Sequence, residues 1–141
     1  MLAPLEPLAE QWDRLSDTWC WMLVLRGPVK VDLIFPEEPH EKEGPWVAGP
    51  ETLAGIDGHF WDWMLWLRGK EVAGKEELVA GELEKLHGHL LGPLGAQATP
   101  SSVADAVVKY RAGRDRAEAR FGRTVSRELE RAVAPSLPSP D

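Results

Sequence analysis

Two stretches of this chain carry residue types that do chemistry. In VKVDLIF, residues 29–35, Asp32 is a carboxylate set into an otherwise apolar strand. At a period of two, Lys30, Asp32 and Ile34 share one face, and Val29, Val31, Leu33 and Phe35 share the other. Two readings are open for Asp32. It is an exposed residue on a sheet with one solvated face, or a carboxylate on a rigid element that holds a cation or acts on a substrate. In ETLAGIDGHFWDWMLWL, residues 51–67, His59, Asp62 and Trp66 fall on one helical face at i, i+3 and i+7. Such a face stacks and hydrogen-bonds a sugar-like ligand, or it forms a helix–helix or dimer contact. His87 and His89, two apart, face different directions and form no compact chelate, so both are expected at the surface. His40, alone among glutamates, is expected to be solvated.

These residues need elements to hold them. Leu53, Ile56, Phe60, Trp63, Met64 and Leu67 form a stripe at helical spacing, widened by Trp61 and Leu65. A helix apolar almost all round is central in its domain, with neighbours on several sides. Pro50 suits its start and Gly74 its end. Gly55 and Gly58 within it each cost roughly 1 kcal/mol relative to Ala, so a packed helix or a ligand is expected to approach the backbone there. WCWMLVL and VKVDLIF flank Arg26-Gly27-Pro28 and read as a β-hairpin. Before them, Leu8, Trp12 and Leu15 are spaced for a short helical arm over residues 1–18. Between the hairpin and the central helix, residues 36–49 form a long acidic, Pro-rich loop pinned by Trp46. Residues 75–91 carry Val79, Leu83, Leu86 and Leu90, a second helix ended by Gly92-Pro93. Thr99 is placed to cap a third helix, with Pro100 in its first turn, and Val103, Val107, Tyr110, Ala117 and Phe121 make its stripe. Arg114 lies on that stripe, as a paired or snorkelling arginine. Gly122 ends the third helix, a fourth follows over 124–133, and residues 135–141 read as a disordered tail. The fold expected is mainly α within an α+β class: residues 1–49 as arm, short hairpin and loop, and residues 50–134 as a bundle of about four helices.

The chain has 141 residues, enough for one domain with a real core. Its formal net charge of −7 argues against general nucleic-acid binding. The arginines between 111 and 131 make a solvated face with i,i+4 pairs or a surface for an anion or acidic partner. One cysteine, Cys20, rules out an internal disulfide framework and is expected to be a buried, inert thiol. The acidic start MLAPLEPLAE is neither a signal nor a transit peptide, and no apolar run is long enough to span a membrane, which fits a cytoplasmic protein.

The run RGPVKVDLIF, an acidic Pro-rich loop with a Trp, and then TLAGIDGHFWDWMLWLRGKEVAGKEELVAGELEKLHGHLLGPLG resembles the later part of a bacterial minimal nucleotidyltransferase. That family belongs to the DNA polymerase β superfamily and includes the aminoglycoside nucleotidyltransferases. The resemblance covers about residues 19–95. It implies a small sheet carrying three carboxylates that bind two Mg2+ ions, which hold ATP for attack by a substrate hydroxyl. Asp32 stands where the third carboxylate would be. Glu51, Asp57, His59, Asp62 and Trp66 would line the acceptor side, with Asp57 as the base that takes the acceptor proton. The family's Gly-Ser and Asp-x-Asp carboxylates have no counterpart here, and one carboxylate cannot hold two magnesium ions. The resemblance therefore implies a C-terminal portion, a substrate-binding part inactive by itself. Loss of sheet partners would leave apolar faces that a homodimer covers. The alternative is a non-catalytic helical interaction or oligomerisation module.

Overall fold

A computed structural model describes residues 6–139. It is an α+β molecule in which a three-stranded antiparallel sheet precedes four helices. The strands are β1 (Ala9–Trp12), β2 (Thr18–Leu25) and β3 (Val29–Pro39), in that spatial order. The helices are α1 (Leu53–Val72), α2 (Glu76–Leu86), α3 (Val103–Phe121) and α4 (Glu128–Val133). A π-helical turn, His87–Leu91, continues α2.

The helix α1 is central, as its all-round apolar surface requires. The sheet, α2, α3 and α4 all pack on it. Phe60, Trp61, Met64 and Leu67 are fully buried, with Tyr110 of α3 stacked on Phe60 at 4.1 Å between ring centroids. Gly74, at φ +75°, follows the last turn. Gly55 and Gly58 of α1 are explained by packing: a Cβ on Gly55 would meet the Trp46 ring at 3.0 Å, and one on Gly58 would meet Gln11 Nε2 at 2.6 Å.

The helical arm expected over residues 1–18 is replaced, in its described part, by β1. Ala9 pairs with Val24 and Trp12 with Trp21. The period-two pattern of AEQW turns Gln11 inward, where its amide donates to the Gly55 carbonyl, and Trp12 outward onto Trp19 and Trp21. Long-range pairing outweighs the weak helical spacing of Leu8, Trp12 and Leu15. Pro4 lies outside the described residues. The loop expected from residue 36 begins later, because β3 continues through Pro36 to Pro39 as an edge strand, where proline removes no ladder bond. Trp46 does pin the loop: its ring lies over Gly55 and under the Arg14 guanidinium, 4.1 Å away.

Three helix boundaries shift. Ser102, not Thr99, caps α3 by accepting from the Asp105 N–H. The α4 helix is shorter than expected because the Val125 N–H is drawn to the Glu118 carboxylate, which Arg127 also holds. In the tail, Ala134–Ser136 forms a 3-10 turn, and Ala134 and Leu137 pack on the core, so residues 135–139 are not a free end. Residues 140–141 lie outside the described part. Three of these arginines tie α3 to the α4 segment instead of pairing at i,i+4: Arg111 and Arg114 reach Glu130, and Arg127 reaches Glu118. Arg114 is buried and paired. No helix among the described residues is long and apolar enough to cross a membrane.

Candidate functional site

The sheet lies on α1 with an inverted face. In the β2–β3 register, Val24 faces Lys30, Met22 faces Asp32 and Cys20 faces Ile34. Cys20, Met22 and Val24 are buried, so Lys30 and Asp32 point with them towards α1. The apolar set Val29, Val31, Leu33 and Phe35 points away. The polar side of the strand is turned inward because a partner waits there: Asp62 of α1. The Lys30 ammonium sits between two carboxylates, 2.5 Å from Asp32 Oδ1 and 2.7 Å from Asp62 Oδ1.

Around this pair a cleft of about 220 Å³ opens between the sheet, α1 and α2. Asp13, Lys30, Asp32, His59, Asp62 and Trp66 line it, with Trp63, Glu82 and Lys85 completing the wall. Four carboxylates face two ammonium groups, and Lys85 is already paired with Glu82 at 2.8 Å. Burial pushes the Asp62 carboxyl up to about 6, against the pull of Lys30. Burial opposes the charge on Lys30, but Asp62 and Asp32 outweigh it and raise its pKa. Burial also raises the Cys20 thiol to about 11, with Asp32 and Asp13 adding to it, which makes this thiol unreactive.

His59 joins the cleft to the interior. Its Nδ1 accepts from the Trp46 indole N–H at 3.0 Å, so the proton of the neutral ring is on Nε2. Its ring stacks on Trp63 at 5.0 Å, and His89 meets it edge-on at 5.5 Å. Burial, with His89 and Arg14 beside it, holds His59 down to about 3. Burial and then Arg14 hold His89 down to about 4. The surface placement expected for His89 is thus wrong. The π turn widens the backbone at His87–Leu91 and carries His89 inward, and π turns recur where such repositioning is used. His87 is half-buried, its Nε2 within 3.0 Å of the Ala96 carbonyl. His40 is not solvated either. It packs edge-on against Trp19, with Nδ1 2.8 Å from the Ser16 carbonyl.

Of the residues singled out in the sequence, Asp32, His59, Asp62 and Trp66 meet at one cleft. Asp57 does not join them. It is buried between α1 and α3, where its Oδ1 accepts from Tyr110 at 2.5 Å and Trp61 at 3.0 Å. Burial raises its pKa in spite of these bonds. This is a structural carboxylate with both partners inside the core. Glu51 is exposed ahead of α1 and does not line the cleft. Asp13, Lys30 and Glu82 were missed as site residues. Lys30 was legible, since it shares the face of Asp32. Asp13 and Glu82 sit on segments whose placement depends on the tertiary fold.

The donor set does not fit a pair of magnesium ions. The space between Asp32 and Asp62 is filled by the Lys30 ammonium. Among the described residues no three His, Cys, Asp or Glu side chains converge as a metal site would require. No family model, curated protein or solved structure matches this chain.

Proposed function

We propose that the cleft is the acceptor-binding part of a nucleotidyltransferase-like protein, and that it takes a small, amine-bearing, hydroxyl-rich compound of the aminoglycoside kind. The observation that supports this is the meeting of Asp32, Asp62, His59 and Trp66, from two separate stretches of sequence, at one acidic and aromatic cavity. Each side chain has a role a ligand of this kind would use. Trp66 offers a flat apolar wall for a sugar ring. Asp13 and Asp32 offer charged acceptors to ammonium groups. The neutral His59 ring offers a donor to a hydroxyl. Lys30 holds Asp32 and Asp62 in place, and an incoming ammonium would share those carboxylates with it. Nucleotide transfer, with Mg2+ and ATP, would need further carboxylates supplied by another polypeptide.

Titration calorimetry with a deoxystreptamine aminoglycoside tests the proposal. Binding is expected in the micromolar to millimolar range, weakened at least tenfold in Asp32→Asn. A wild-type chain that gives no heat up to millimolar ligand would sink it. A second reading, the non-catalytic interaction module, is favoured by a different observation: among the described residues the far face of the sheet exposes Trp12, Trp19, Leu33 and Phe35.

A further inference from the structure

A groove beside α3 carries positive charge in a chain whose net charge is −7. Its volume is about 270 Å³, and it lies between α3, the turn after the π-helical segment and the loop ahead of α1. Arg116 and Arg120 line it with Ala48, Leu94, Ala117 and Phe121, and among the described residues no carboxylate does. An adjoining hollow lined by Lys109 and Arg116 has no carboxylate either. The acids of α3 are engaged elsewhere: Asp105 holds Lys109, Asp115 holds Arg114, and Glu118 holds Arg127. Arg116 and Arg120 are left without a carboxylate partner among the described residues. Both guanidinium groups are nonetheless held in place. Arg116 donates through Nη2 to the Leu94 carbonyl at 3.2 Å. Gly95, at φ +97°, leaves room for it, since a Cβ there would lie 3.4 Å from that nitrogen. Arg120 lies over the Phe121 ring, 5.0 Å from its centroid. The macrodipole favours a cation in the last turn of a helix, which accounts for Arg120. It does not account for Arg116 one turn earlier, or for a cavity walled by both.

We propose that this groove binds a small phosphate monoester whose organic part is apolar. The two arginines are four residues apart, about 6 Å along the helix, so both forks reach a single tetrahedral anion. Two guanidinium charges match the charge of roughly −2 on a phosphate monoester at neutral pH, whereas a carboxylate would leave one of them unmatched. Ala48, Leu94, Ala117 and Phe121 take the group to which the phosphate is attached. The volume is below the roughly 300–1,000 Å³ of sites for drug-sized molecules, which limits that group to the size of a single ring. No residue of the groove lines the cleft beside Lys30, so this site does not depend on what the cleft binds.

Phenyl phosphate is the probe, added to the 15N-labelled full chain while the amide resonances are followed. Gly95 and Phe121 are expected to shift in a saturable way, with a Kd of about 1 mM or below. Arg116 and Arg120 are exposed, so Arg116→Gln and Arg120→Gln leave the fold intact, and circular dichroism verifies that. In each variant affinity should fall roughly tenfold, the loss expected for one charge-assisted contact. Inorganic phosphate, which lacks the ring, and benzoate, which carries a single charge, should each bind several-fold more weakly. Unmoved Gly95 and Phe121 signals up to about 10 mM phenyl phosphate in the wild type would overturn the site, whatever the variants do. So would undiminished binding in either folded variant. Inorganic phosphate bound as tightly would overturn the apolar part of the ligand, and benzoate bound as tightly would overturn its double charge.

Discussion

Lys30 is the counter-charge of two aspartates, one on its own strand and one on α1. Lys30 is mostly shielded, and Asp62 is buried more deeply than Asp32. Removing Lys30 would leave two carboxylates without their counter-charge, a loss of about 3–5 kcal/mol for a buried pair. The histidines set a second electrostatic condition. His59 is held neutral well below its ordinary value of 6.5. A depressed folded pKa means that the unfolded chain binds the proton more readily. His59 therefore contributes stability above about pH 6.5, and that contribution is lost as pH falls towards 3. At pH 5 the loss amounts to about 2 kcal/mol. Asp62 works in the opposite sense. Its folded pKa is raised to about 6, so its contribution is present below 3.8 and is lost as pH rises through 6. The expected outcome is a urea midpoint that falls between pH 6.5 and 4.5 in the wild type. In His59→Gln, which keeps an acceptor for the Trp46 indole, the fall should be visibly smaller. An equal fall in both would show that His59 titrates normally.

The elements of this fold differ in how much room their glycines leave. Gly81 on α2 has open space around it, so Gly81→Ala should stabilise by up to about 1 kcal/mol through helix propensity. Gly113 on α3 sits under the turn after α2, where an added Cβ would lie 2.9 Å from Leu94 Cβ and 3.2 Å from its carbonyl oxygen. Gly113→Ala should destabilise by roughly 1–3 kcal/mol in spite of the same propensity gain. Chemical denaturation of both variants checks the pair, and equal signs would contradict the packing described. The elements also show what was legible in the sequence. The helices α1, α2 and α3 could be read from their stripes, because each buries one long apolar surface. The hairpin could be read from its turn. The strand β1 could not, because its four residues gain their stability from β2 and α1 rather than from their own pattern. The face of β3 turned inward was equally hidden. Hydrophobicity alone would bury Val29, Leu33 and Phe35, and only the ion pair from Lys30 to Asp62, 32 residues apart in sequence, reverses that choice. Of the site, Asp32, His59, Asp62 and Trp66 were visible as chemistry-bearing residues, whereas the burial of Asp57 depends on where Tyr110 falls.

At the scale of the whole molecule, the sheet separates two kinds of surface. One side of the sheet closes on α1 and leaves an acidic, aromatic cleft beside it, and the other side exposes Trp12, Trp19, Leu33 and Phe35. The ligand proposal concerns the first surface alone. The two are independent, since no residue of the outward face lines the cleft. The most direct measurement of the central claim is the set of tryptophan indole 1H–15N resonances while a deoxystreptamine aminoglycoside is added. Trp63 and Trp66 line the cleft, and Trp61 is sealed in the core with its indole bonded to Asp57. The account predicts that Trp63 and Trp66 shift in a saturable way while Trp61 stays still. Unmoved Trp63 and Trp66 signals at millimolar ligand would contradict it.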